Sequence, residues 1–291
     1  MNGIIPIVMY HYVRPRTDPP YISLSAEGFE RQVKYLLDRG AIISFRNLAR
    51  GKTGSILTFD DGLKDHYLNA YPILKKWNVT GAFYPSGEST VHKTLLPVHL
   101  NHYLLAMLGS EKYAEHFNAL VPEEDAIPTD RKLNEKYAYD NILTANIKHV
   151  ILMMPEQEKI SILSTIAREN GIDLAAFHDA LYLDREEIRE MAEGGMEIGS
   201  HGFSHQSLST LGRAEQEEEI RETQRILTSI TGEKTVLFSY PYGGYDGHTL
   251  ELLGKYGFTH AVTTDFGLSD RMTPPLRLKR IDTNKVETMI P

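Results

Sequence analysis

Short apolar runs recur along this chain, each ending in polar or turn-forming residues, and stretches with helical periodicity lie between them. Ile4 to Met9 ends at Tyr10-His11-Tyr12, Ser55 to Phe59 ends at two aspartates, and Val79 to Tyr84 ends at Pro85-Ser86-Gly87. The second half repeats the arrangement. Met196 to Gly199 runs into His201, Val236 to Phe238 into Tyr240-Pro241-Tyr242-Gly243-Gly244, and His260 to Thr264 into Asp265, with a last strand expected at Leu276 to Ile281. Buried strands that alternate with amphipathic stretches such as Ala26 to Arg39 and Arg213 to Thr231 are the mark of an α/β layer or barrel with outer helices.

One segment breaks the alternation. From about Glu88 to Leu183 there is no clear strand, while Val98 to Leu108, Glu111 to Leu120, Lys136 to Met154 and Glu156 to Asn170 have helical patterns. Residues 88–183 are therefore expected to be a helical insertion within a single α/β domain spanning residues 1–291. Asp184-Arg185-Glu186-Glu187 resembles the cap of the helix that returns the chain to the strands.

A chain of 291 residues with 41% hydrophobic composition can bury a full core. The formal charge of −8, spread over short stretches, argues against a nucleic-acid surface, where a clustered basic face would be expected, so no nucleic-acid partner is expected. The absence of cysteine rules out disulfides, thiolate metal sites and a cysteine nucleophile. Any metal must be held by His, Asp and Glu. The first ten residues show no basic segment or small-residue cleavage site, and no apolar run approaches the roughly 20 residues that span a bilayer. No transmembrane segment and a cytoplasmic location are expected. Neither a phosphate loop nor a dinucleotide fingerprint is present, so no nucleotide cofactor is implied.

The chemistry concentrates in two motifs. Thr58-Phe59-Asp60-Asp61-Gly62 is answered about 140 residues later by Ser200-His201-Gly202-Phe203-Ser204-His205. A catalytic zinc takes three nitrogen or oxygen ligands from the protein and keeps a position for water. Asp61, His201 and His205 meet that requirement, and Asp60 is left over as a base. Two histidines four residues apart converge on one ion from a helical turn or a tight loop, and Gly202 permits the latter. Neighbouring side chains on an extended segment point different ways, so Asp61 can face the ion while Asp60 faces the attacking water. All four groups follow strands, the end at which barrels and open α/β sheets place their sites. Capping alone needs one aspartate, not two. Zinc is the default ion, and Co2+, Ni2+, Mn2+ or Fe2+ would suit the same donors.

These two motifs resemble the first two of the polysaccharide deacetylase family, also called the NodB-homology family or carbohydrate esterase family 4. The resemblance covers roughly residues 1–87 and 184–291. It implies a distorted (β/α)7 barrel, here with the helical insertion, in which Asp60 is the general base and Asp61, His201 and His205 bind the metal. Phe238-Ser239-Tyr240-Pro241-Tyr242-Gly243 is similar to the third family motif, Arg-x-Pro-Tyr, whose arginine orients the base. Ser239 replaces that arginine, which leaves Asp60 without an obvious cationic partner. By the same analogy the backbone amide of Tyr242 donates to the oxyanion. The family's late Leu-x-x-His, source of its general acid, has no counterpart, since no histidine follows His260. His11 ends a strand and is the better replacement, whereas His260 begins one. Arg280 could stabilise charge but is a poor proton donor. Tyr12, Tyr84 and Tyr240 are expected beside Tyr242 as sugar-contacting rings.

The resemblance implies metal-dependent removal of N-acetyl groups from a carbohydrate, and the lack of an export signal points to an intracellular glycan precursor. Two other readings stay open. One is a metal-dependent deformylase or amidohydrolase acting on a non-polysaccharide substrate. The other is a sugar-binding homologue that keeps the metal ligands without turnover.

Overall fold

The computed structural model describes residues 3–15, 23–134 and 140–290. Seven strands form one parallel sheet: β1 (Ile7–Tyr10), β2 (Ile56–Asp60), β3 (Ala82–Tyr84), β4 (Glu197–Ile198), β5 (Leu237–Ser239), β6 (His260–Phe266) and β7 (Leu278–Asp282). Their spatial order is β4-β3-β2-β1-β7-β6-β5. Each neighbour is thus next in sequence, and the last strand pairs with the first. The two edges meet just beyond β4, where the Ser200 amide donates to Leu237 at 2.8 Å and the Ser239 amide to Ser200 at 2.9 Å. The sheet is a nearly closed (β/α)7 barrel, one of the two architectures that the alternation of strands and helices allowed and the one that the family resemblance implied. Pro6, which cannot donate to a ladder, divides the first apolar run, and Ile4–Ile5 pairs instead with Ser269–Asp270 in a separate antiparallel ribbon.

Period-2 alternation sorts the strand residues into two layers. Ile7, Ile56, Ala82, Tyr84, Leu237, Val262 and Leu278 cluster with Phe45 inside the barrel. Their neighbours Val8, Tyr10, Leu57, Phe59, Phe83 and Ile281 pack outward against helix residues such as Phe29, Val33, Leu36, Ile226 and Leu227. Each large side chain buried this way contributes about 1.5–3 kcal/mol. The helix Ala26–Leu37 presents Phe29, Val33 and Leu36 to that layer and starts at Ser25, whose side chain accepts from the Gly28 amide. The alternation also carries polar groups inward. Thr58 and Asp60 share the inner face of β2 with Ile56, and Arg280 shares that of β7 with Leu278.

The chain divides into two compact units. The barrel unit comprises Met1–Pro15, Ser23–Thr94 and Asp179–Pro291. The other unit's described residues fall within Leu95–His178 and are helical: Pro97–Asn118, interrupted at Gly109 with φ 72°, then Ile142–Met153 and Glu156–Glu169. Leu104, Tyr113, Phe117, Ile147, Leu163 and Ile166 are among its buried residues. Lys136, the expected start of the second of these helices, lies outside the described residues. Among the described residues no helix is long and apolar enough to cross a membrane.

Candidate metal and catalytic site

Asp60 is the last residue of β2 and faces the barrel interior. The chain then turns through Asp61 at φ 73° and Gly62 at φ 65°. The two carboxylates diverge because Asp61 adopts a left-handed conformation, not because both lie on an extended strand, which corrects the expectation from side-chain alternation. Aspartate is one of the few residues with a side chain that visits this region readily. Gly62 must also be small, since a Cβ there would lie 2.7 Å from that of Pro85.

The segment from His201 to His205 is a loop with no helical turn, bent at Gly202 with φ 72° and at His205 with φ 62°. Its shape is set by Glu219 on the helix Arg213–Thr231. The Phe203 amide donates to that carboxylate at 2.7 Å, the Ser204 amide at 2.9 Å and the Ser204 hydroxyl at 2.6 Å. Burial raises the pKa of Glu219, and these hydrogen bonds oppose that rise.

The result is convergence. His201 Nε2 and His205 Nε2 each lie 3.3 Å from Asp61 Oδ1, and all three side chains are buried. His201 Nδ1 is 2.7 Å from the Ser239 carbonyl oxygen, which can only accept, so Nδ1 carries the proton and Nε2 turns its lone pair toward Asp61. Lone pairs gathered this closely away from water repel unless a cation sits among them, and the donor set of two imidazoles and one carboxylate fits a divalent ion. Burial disfavours protonated His201, but the Asp60 and Asp61 charges outweigh it and raise its pKa. Asp61, His205 and Tyr242 are three of the five described non-glycine residues with positive φ, so backbone strain is concentrated here.

Asp60 has a cationic partner after all. Arg280 Nη1 lies 2.9 Å from Asp60 Oδ1 and Nη2 lies 2.6 Å from Oδ2, a two-pronged contact buried inside the barrel. The guanidinium also donates to the Thr263 carbonyl oxygen at 2.8 Å and to the hydroxyls of Thr58 and Ser239, each at 3.2 Å. All five of its N–H groups are thereby used. Ser239 is part of this network, and the arginine missing from position 239 is supplied from β7. Burial pushes the Asp60 carboxyl up, but Arg280 outweighs it and, with His201 and His11, holds the group down at about 2. The available sequence signal was the alternation of Leu278 and Arg280 on the inner face of the last strand.

His11 Nε2 is 4.0 Å from Asp60 Oδ2, and its side chain is 43% exposed, so it borders the site and reaches solvent. Tyr242 occupies the turn Pro241–Gly243 with φ 56°; its ring is 4.9 Å from that of His205 and the residue is 44% exposed. Tyr12 lies under the Arg14 guanidinium, 4.9 Å from its ring centre. The two other expected sugar contacts are misplaced. Tyr84 fills the barrel interior, where a Cβ on Gly199 would be 2.4 Å from its ring, and Tyr240 is wholly buried with its hydroxyl donating to Leu276 at 2.8 Å. Neither ring offers a face to a sugar. Phe266, 56% exposed at the C-terminal end of β6, is an aromatic at the same end of the barrel that the sequence reading passed over.

Comparison with known proteins agrees with this architecture. Residues 153–261 match the family model described as polysaccharide deacetylase. A relative named "Putative polysaccharide deacetylase YxkH", from Bacillus subtilis (strain 168), is 21% identical over 286 residues, spanning 95% of this chain and 70% of its own length. The structure of the Streptococcus pyogenes deacetylase PplD in complex with acetate matches with a TM-score of 0.65 at 18% identity, covering 99% of this chain and 98% of that one. IcaB from Ammonifex degensii matches at 0.59 and 18% identity, covering 99% and 95%. Residues 153–261 thus resemble the polysaccharide deacetylase family, and the chain shares its barrel with deacetylases of known structure.

Proposed function

We propose that this chain is a metal-dependent N-deacetylase acting on an N-acetylated carbohydrate, with an intracellular glycan precursor as substrate. The observation that carries the reading is the Asp61, His201 and His205 cluster beside an ionised, arginine-held Asp60. A divalent ion held by those three residues, zinc by default, would supply the Lewis acidity that brings the pKa of a water down to about 7. Asp60 is the base. Arg280 occupies one lone pair on each of its oxygens, fixes the carboxylate plane, and leaves the remaining lone pairs to receive the proton of the attacking water. The Tyr242 amide would donate to the oxyanion that develops on the acetamide carbonyl, an interaction worth roughly 3–4 kcal/mol where such donors have been removed. Protonated His11 would pass its proton to the departing sugar amine as the C–N bond breaks, giving acetate and a free amine. Tyr12 and Tyr242 would contact the sugar. Arg280 and His11 would supply the cationic partner of Asp60 and the acid that the matching motif positions lack, which supports turnover over a binding protein.

The test is acetate release from N-acetylated sugars by the purified protein with added zinc or cobalt, run beside Asp60→Asn on both soluble precursors and polymers. Removing the base is expected to lower kcat by roughly 10²–10⁴-fold. Unchanged activity in that variant would sink the mechanism, and formate in place of acetate would move the reading to a deformylase.

A further inference from the structure

The backbone that carries His11 is gripped from one side by an irregular turn. After Asp61 and Gly62 the chain enters a π-helical turn, His66–Ala70, closed by the Tyr71 amide donating to the His66 carbonyl oxygen. Turns of this width are rare and recur at functional sites. From it, His66 Nε2 lies 2.6 Å from the His11 carbonyl oxygen and Asn69 Nδ2 donates to the Val13 carbonyl oxygen at 2.7 Å. Just before it, Asp65 Oδ2 accepts from the Val13 amide at 3.0 Å and from Arg14 Nε at 2.7 Å. The contacts are rigidly backed. His66 is fully buried with its ring against Phe59 and Phe83, and Asp65 is buried as well. Burial also lowers the pKa of His66. The neutral ring must place its proton on Nε2, because the His11 carbonyl can only accept.

The His11 side chain is 43% exposed and lies 4.0 Å from Asp60, so where its ring sits depends on how its backbone is held. We infer that Asp65, His66 and Asn69 are positioning residues for the acid step: they fix the His11–Arg14 backbone so that the His11 ring, beside Asp60, meets the departing amine. The inference rests on His11 being the acid, as proposed above. It ties the acid to the same strand-turn segment that carries Asp60 and Asp61, so base, metal ligand and acid share one rigid frame.

The step in question is protonation of a poor leaving group, and that separates a positioning role from a structural one. An amine needs the acid; the phenolate of an activated aryl acetate ester leaves without it. The experiment compares kcat and KM for an N-acetylated sugar and for p-nitrophenyl acetate in His66→Phe, Asn69→Ala and His11→Ala, with zinc affinity measured alongside. His66→Phe keeps the ring packing, and Asn69→Ala, on a half-buried residue, keeps the test open if the first variant does not fold. Expected is a fall of roughly 10-fold or more in kcat for the amide in both clamp variants, with KM, ester hydrolysis and zinc affinity nearly unchanged and His11→Ala showing the same selectivity more strongly. Parallel losses on both substrates in the clamp variants, or no loss on the amide, would overturn the inference while leaving a selective His11→Ala to support the acid. Parallel losses in His11→Ala itself would overturn the acid assignment and the inference with it.

Discussion

At the scale of single residues, the pair of Asp60 and Arg280 shows how a buried charge is tolerated. Each prong of the guanidinium meets one carboxylate oxygen, and its three other N–H groups find protein acceptors, so neither partner is left to its desolvation cost. Arg280→Met would strand a buried carboxylate and is expected to cost about 3–5 kcal/mol in urea unfolding. Adding Asp60→Asn should recover part of that loss, because the penalty belongs to the pair. A pH dependence follows with a definite sign. The folded carboxyl titrates at about 2 against an ordinary 3.8, so its stabilisation is complete above the ordinary value and drains away as pH falls from about 4 toward 2. Urea midpoints of the metal-free protein across that range should fall, and Asp60→Asn should flatten that part of the curve.

At the scale of elements, the histidine loop depends on a helix it does not belong to. Glu219 receives two amides and a hydroxyl from Phe203 and Ser204, which lets a five-residue segment with two left-handed residues hold both imidazoles toward Asp61. Glu219→Gln replaces one of the accepting oxygens with a donor. It should weaken zinc binding roughly 10–100-fold, the usual effect of losing a partner that orients a ligand, measured by competition with a chelator. The helix Arg213–Thr231 matches its expected bounds because its stripe of Ile220, Ile226, Leu227 and Ile230 is a local property of the chain. That Glu219 faces the loop was not legible, because a charged residue on an amphipathic helix reads as solvated until a partner segment is known.

At the scale of the whole molecule, the candidate ion site joins segments from opposite edges of the half-barrel β2 to β4, with Asp61 just beyond β2 and both histidines beyond β4. An ion bound there links parts of the chain that separate on unfolding. Zinc at 100 times its dissociation constant should stabilise the fold by about 2.7 kcal/mol, which for a chain of this size is a rise in Tm of several degrees. Scanning calorimetry with and without zinc would measure it, and the increment should vanish in His201→Ala. Barrel order was legible for a related reason. Strands consecutive in sequence are neighbours in space, so the alternation of short apolar runs with helices allowed a layer or a ring, and the family resemblance pointed to the ring.

What the chain determined by itself were properties that repeat over a few residues: the strands, the outer helices, and the aspartate and histidine motifs at strand ends. Pairings that depend on barrel closure were decided only by the tertiary structure. Arg280 reaches Asp60 across a sequence separation of 220 residues because β7 closes on β1 and β1 pairs with β2, bringing the inner faces of β7 and β2 together. Tyr84 and Tyr240 stand at strand ends where sugar-contacting rings were expected, yet the fold buries one in the barrel interior and the other among Leu208, Phe238 and Leu253. Periodicity tells a side chain which face of its strand it occupies; only the closed ring of strands decides what stands opposite that face.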